Sequence, residues 1–194
     1  MNNEINGKDW FTLPRTINLF IGFILILIFL SSCIKSEGAS STLEEVLNHI
    51  AYKEIVAKGE TKDGVVVFFE TEHGLDYGFT YKDGSKYRDF CGGGSISLDK
   101  MPEVSSSYSE CSKESKGKTE HFQMFSGTVN NVDIEELEVQ YKDGDRTFNK
   151  KAQIIKTNKG YRVWFVIPDE YSNYNLEVIS INGYSRDGKN VLKQ

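Results

Sequence analysis

The chain has 194 residues, 39% of them hydrophobic and 12% aromatic, with 23 basic against 28 acidic side chains and a net charge of −5. That much apolar and aromatic bulk excludes a disordered chain and predicts a packed body. The acidic balance provides no basic face to displace counterions from a phosphate backbone, which argues against nucleic acid as a partner.

The first feature in chain order is the uncharged stretch Ile17 to Leu30. It is shorter than the roughly 20 residues a membrane-spanning helix needs, and it reads as the apolar region of an export signal. It ends in Leu30-Ser31-Ser32-Cys33. A Leu three positions before a Cys, with small residues between, resembles the lipobox of bacterial lipoprotein signal peptides. The resemblance implies that residues 1–32 are a signal peptide cut just before Cys33, and that the Cys33 thiol takes a diacylglyceryl group. At about 0.8 kcal/mol per buried methylene, two acyl chains hold a protein durably at the membrane where one does not. Radiolabelled palmitate is then expected on Cys33. The competing reading is an uncleaved signal anchor from Trp10 or Phe11 to Leu30, interrupted by Pro14, Arg15 and Asn18. Glu4 and Asp9 offset Lys8 and Arg15, whereas such signals usually begin basic. Both readings place Ile34 to Gln194 on the extracytoplasmic face of the cell membrane.

Residues 33–41 are small and polar, a flexible tether. Ser41-Thr42 followed by Glu44-Glu45 has the Ser/Thr-x-x-Glu spacing of a capping box, and Leu43, Val46, Leu47 and Ile50 recur at helical period, so a short amphipathic helix is predicted to end near Tyr52 or Lys53. From there the period is two. Asp63-Gly64, Asp83-Gly84, Asp143-Gly144 and Asp187-Gly188 separate β-favouring runs, and Asp-Gly suits the positive φ angles of tight hairpins. Val65 to Phe69 is apolar on both faces and predicts a central strand with the helix on one side. Leu137, Val139 and Tyr141 alternate with Glu136, Glu138 and Gln140, a strand with one wet face. Tyr161 to Ile167 is again apolar apart from Arg162 and predicts a core strand.

Val104 to Glu120 contains six serines, three lysines and three glutamates and little to bury, so residues 104–120 read as a polar linker or loop. The expected fold is mainly β, of the α+β class. A short N-terminal helix packs on an antiparallel meander over residues 42–103, and a small antiparallel immunoglobulin-like β-sandwich follows over residues 121–194. A single α+β domain with an inserted loop is the competing architecture.

Asp63 to Glu70, Gly74 to Phe79, Gly92-Gly93-Gly94-Ser95, Phe125 to Val129, Tyr161 to Ile167 and Ile179 to Asp187 together resemble a group of small uncharacterised lipoproteins from Bacillus-type bacteria. The likeness covers nearly all of the chain after Cys33. It implies lipid anchoring on the cell envelope and brings no catalytic residues.

Candidate chemistry is sparse. Once Cys33 is lipidated, Cys91 and Cys111 remain, either as a disulfide permitted by an oxidising exterior or as two free thiols. Cys91 precedes Gly92-Gly93-Gly94, so a thiol nucleophile beside flexible backbone amides is conceivable with His73 or His121 as base; a bulge or wide turn is the plainer account. His49, His73 and His121 lack metal-ligand spacing, and no metal or cofactor is expected. Asp133, Glu135, Glu136 and Glu138 alternate like a solvated strand face rather than a calcium loop. Gly117-Lys118-Thr119 lacks the upstream glycine of a phosphate-binding loop. No serine-hydrolase elbow occurs. Tyr171 and Tyr174, near Pro168, are the aromatics best placed for contact with a cell-wall polymer or another envelope protein. The sequence thus points to a non-enzymatic binding or accessory module of the envelope, with an enzyme using an unrecognised Cys/His or carboxylate site, or a purely structural protein, as alternatives.

Overall fold

Turn geometry explains how the strands pair. The computed structural model describes residues 42–98, 102–115, 118–168 and 176–193. The predicted signal peptide 1–32, the tether with Cys33, and Tyr171 and Tyr174 lie outside the described residues. Strands β1 (Glu54–Glu60), β2 (Gly64–Glu70), β3 (Leu75–Asp83) and β4 (Lys86–Ile96) form one antiparallel sheet in that order. In the β3–β4 hairpin Asp83 pairs with Lys86, so the loop is Gly84-Ser85, with Gly84 at φ 61°. A second hairpin repeats this, with Asp143 opposite Arg146 and Gly144 at φ 60°. Only the first central residue has positive φ, which is the type II′ arrangement; the aspartates stand outside the loop. Gly64 is different. Its turn is Lys62-Asp63, closed by the Thr61 amide donating to the Gly64 carbonyl at 2.9 Å, and a side chain at 64 would meet the Thr80 carbonyl oxygen at 2.0 Å.

Two more four-stranded antiparallel sheets follow. The second has the order β5-β6-β10-β9, from Ser107–Ser115, Lys118–Val129, Arg162–Val166 and Gln153–Lys156. The third has the order β12-β11-β7-β8, from Asn190–Lys193, Glu177–Tyr184, Glu136–Asp143 and Arg146–Lys151. Side-chain alternation stacks the sheets in layers. Phe122 and Met124 of β6 and Val163 and Phe165 of β10 join Val66, Phe68, Tyr77 and Phe79 of the first sheet in one core. Phe125 and Val129, with Trp164 and Val166, turn the other way and join Leu137, Val139, Tyr141 and Ile181 of the third sheet. The second sheet is therefore the middle layer, and Val163 to Ile167 is apolar throughout because each face of β10 feeds a separate core. The third sheet is buried on one face only, in keeping with the alternation of β7.

Helix α1 (Leu43–Leu47) lies on the outer face of the first sheet, where Leu43 and Leu47 pack with Val65, Val67 and Phe69. Its capping box is complete: the Glu45 amide donates to Thr42 Oγ1 at 3.1 Å and the Thr42 amide to Glu45 Oε2 at 3.2 Å. The helix ends five residues before the expected Tyr52. The Ile50 amide turns back to the Leu47 carbonyl, and Tyr52 sets its ring edge-on to Phe69, so the chain is drawn down onto the sheet.

The polar segment 104–120 is not a linker. It forms β5 and the start of β6, a hairpin in perfect register from Ser107↔Ser126 to Ser115↔Lys118. As an edge strand β5 needs little apolar content, because its backbone bonds one neighbour and only a few of its side chains face a core. The expected division at this segment is likewise replaced: residues Ala39–Gln194 form one compact unit. The first and second sheets are joined at both margins, by the Asn158 amide donating to the Val56 carbonyl and by the covalent link between β4 and β5 described below. Among the described residues no helix is long and apolar enough to cross a membrane.

Candidate functional site

Cys91 on β4 pairs with Phe79, and Cys111 on β5 pairs with Phe122, so both cysteines point into the space between the first two sheets. They are joined as a disulfide, with Cα atoms 6.1 Å apart. A bonded sulfur is not a nucleophile. The hollow beside it, about 330 Å³, is lined by Tyr81, Asp89, Phe90, Ser112 and the two cysteines, and neither His73 nor His121 lines it. His73 sits in the β2–β3 turn, and His121 pairs with Ser112. Among the described residues no three His, Cys, Asp or Glu side chains gather as a metal site. Within the acidic run, Glu136 pairs with Lys151 at 2.8 Å and Glu135 with Arg186 at 3.4 Å. Lys118 and Thr119 open a strand instead of the helix a phosphate-binding loop requires.

The aromatic residues divide by depth. Trp164 is fully buried and donates from Nε1 to the Ser105 carbonyl at 3.0 Å, which makes it core. Tyr161 is half-buried, with Oη donating to Glu70 Oε1 at 3.1 Å; burial first, then the adjacent carboxylate, hold its phenol well above the usual range. Tyr108, on the edge strand, packs on Phe125 and donates to Glu110 Oε2 at 3.0 Å, and burial followed by that carboxylate pushes its pKa up to about 12.

Two further hollows merit comparison as binding sites. A cleft of about 460 Å³ opens where the β1–β2 turn meets the ends of β8 and β10, with Phe79, Phe122 and Phe165 beneath it and Lys62, Asp63 and Lys151 on its rim. Its three rings are at most 4% exposed, so they belong to the core more than to the cleft. The second hollow, about 350 Å³, opens on the outer face of the first sheet between α1 and β4. Ile50 and Phe90 supply apolar walls, Phe69, 2% exposed, lies beneath them as part of the core, Gly92, Gly93 and Gly94 present backbone, and Asp76 supplies the one acidic group. Gly94 is a bulge residue at φ 71°, where a side chain would strike Tyr77 Oη. Asp76 Oδ1 is buried without a hydrogen-bond partner. Leaving a buried acceptor unpaired costs about 1–3 kcal/mol, and more when it is charged. An apolar hollow with one placed polar group is the usual make-up of a ligand site. The glycine run therefore makes a bulge, the plainer of the two sequence expectations, and Asp76 is a residue the sequence reading missed. Its only local signal is a lone acid in Leu75-Asp76-Tyr77-Gly78-Phe79, whose surroundings depend on pairing with β2 and β4.

Comparison with known proteins gave no matching family model, no matching curated protein and no matching solved structure.

Proposed function

We propose that the chain is a membrane-anchored extracytoplasmic lipoprotein, held through a lipidated Cys33, that acts as a non-enzymatic binding or accessory module of the cell envelope. The anchor rests on Leu30-Ser31-Ser32-Cys33 after its apolar run. The single observation that supports binding is the outer-face hollow, where Asp76 Oδ1 lies buried and unpartnered among apolar walls. The Cys91 route to an enzyme needs a free thiol, which the bond to Cys111 removes.

On this reading β5 to β12 are an immunoglobulin-like sandwich. The orders β5-β6-β10-β9 and β12-β11-β7-β8 correspond to the A-B-E-D and G-F-C-C′ sheets of that fold, taken in sequence order. The sandwich then begins at Ser107, ahead of the residue 121 expected from the sequence. It departs from antibody domains in its cross-link, which ties β5 to the first sheet instead of joining the two sheets of the sandwich. The partner is a cell-wall polymer or another envelope protein.

The test combines anchoring and capture. Cys33→Ala should release the protein from membranes and abolish palmitate labelling; palmitate retained by the variant refutes the anchor. A photo-crosslinker at exposed Ser95, on the mouth of the hollow, should capture an envelope component that one at exposed Thr147 on β8 does not. Equal capture from both positions, or none from Ser95, refutes binding at this face.

A further inference from the structure

The outer-face hollow holds a partly buried acid, Asp76, whose Oδ1 is buried without a hydrogen-bond partner. On β3, Leu75 and Tyr77 send their side chains into the core with the second sheet, so Asp76 between them faces outward, in register with Phe69 of β2 and Ser95 of β4. Among the described residues lining the hollow none is basic. The guanidinium of Arg88, the nearest basic neighbour along β4, is engaged elsewhere, 5.8 Å over the ring of Tyr81. Phe69, opposite Asp76 on β2, and Phe90 have ring centroids 5.9 Å apart and planes at 58°, and Phe90 lies across Gly78 and Gly92, where a Cβ would come within 2.2 and 2.5 Å of the ring. Those two glycines let the ring settle against the sheet and hold it there as a wall. The mouth is open, since Gly92, Gly94 and Ser95 are exposed.

Each surface of this hollow selects for the same chemistry. A buried acceptor oxygen without a partner calls for an N–H or O–H donor, and its charge favours a cation. Aromatic faces favour a cation over a neutral donor and over an anion. Ile50 and the phenylalanine rings favour an apolar stem behind the charged head. We infer that the hollow binds an alkylammonium group, with the ammonium donating to Asp76 Oδ1 against the ring of Phe90 and its methylene stem lying on Ile50. A carboxylate or phosphate is repelled at the same place, and a neutral amide forfeits both the charge pair and the ring contact. The inference rests on the reading of the protein as a binding module and names the group that module recognises.

The test uses the full chain in detergent and titrates two amines, Nα-acetyl-lysine amide for an ammonium on a polypeptide side chain and 1,5-diaminopentane for a free small amine, followed by amide NMR and calorimetry. Saturable shifts at Asp76 and Gly92 to Ser95 are expected. Stronger binding of the lysine derivative assigns the group to a polypeptide, and stronger binding of the diamine assigns it to a small molecule; either supports the inference. Lysine derivative acetylated on Nε should bind at least about tenfold more weakly. Asp76→Asn keeps the shape and should lose affinity by a similar factor while remaining folded, because it removes the charge that pairs with the ammonium. Phe90→Leu should bind several-fold more weakly with the Asp76 contact intact. Absence of saturation by either amine, or equal binding by the parent and a folded Asp76→Asn, overturns the inference. Capture from Ser95 in cells does not depend on which group is recognised, so amine failure with capture sinks the ligand class alone, and amine binding without capture sinks the envelope partner alone.

Discussion

Removing the Cys91–Cys111 bond measures how far the fold depends on the join between the first two sheets. The two cysteines are 20 residues apart in sequence, and β4 and β5 belong to different sheets with no shared ladder, so the bond closes a loop that no backbone ladder closes, beside the side-chain hydrogen bond from Tyr77 Oη of β3 to Ser107 Oγ of β5 at 2.6 Å. For a loop of this length the chain-entropy argument gives about 11 cal/mol/K, or about 3 kcal/mol at room temperature, withdrawn from the unfolded state. In a unit the size of Ala39–Gln194, each kcal/mol moves Tm by about 2–4 °C, which predicts a fall of about 6–12 °C. The right comparison is the double variant Cys91→Ala/Cys111→Ala, which leaves no odd thiol to mispair. It should be melted by calorimetry beside the parent, with and without a phosphine reductant. Reduced parent and double variant should coincide, and the denaturant m value should rise as the unfolded chain expands. A fall of less than about 2 °C in both would mean that the unfolded chain keeps these segments together without the bond, and would refute the reasoning.

Three other outcomes are expected. Phe165 is 4% exposed and passes so close to β1 that a Cβ on Gly59 would stand 2.3 Å from its ring; Phe165→Ala should cost about 3–5 kcal/mol in urea melts, and Gly59→Ala about 1–3 kcal/mol. In a Phe165→Leu background Gly59→Ala should cost clearly less, and strict additivity would disprove the close approach. Gly144→Ala meets nothing within 4 Å and should cost only the positive φ that a type II′ turn demands of its first central residue, about 1–3 kcal/mol, so the absence of any loss would contradict the turn geometry. Because the folded Tyr108 phenol holds its proton beyond the ordinary value of 10.0 toward about 12, the folded state binds more protons than the unfolded one in that window, and stability should fall as pH rises through it. Ultraviolet titration should show a late-ionising tyrosine that Tyr108→Phe removes and Glu110→Gln moves only part of the way down, since burial is the larger cause.

Several elements were legible in the residues themselves because their causes are local. The capping box at Thr42 and Glu45, the glycines of the β3–β4 and β7–β8 turns, and the one wet face of β7 are each decided within a few positions of chain. Strand β5 was hidden for the opposite reason. Its Ser, Lys and Glu content resembles a loop, and it is a strand because β6 supplies a backbone partner along its whole length. Asp76 was invisible as a site for the same reason: an acid in a strand is solvated or buried according to what lies across the sheet, and Phe69, Phe90 and the glycine run arrive from β2 and β4.

The order of residues alone determined that this is a mainly β chain punctuated by glycine hairpins, since side-chain period and turn chemistry are short-range properties. Tertiary structure alone decided that the second sheet is a middle layer, that Cys91 meets Cys111, and that Asp76 Oδ1 lies buried in a hollow shared with Phe69 and Phe90. Those facts depend on which surfaces are brought together across distant stretches of chain, and burial, unlike turn geometry, is a property of the neighbours a residue acquires.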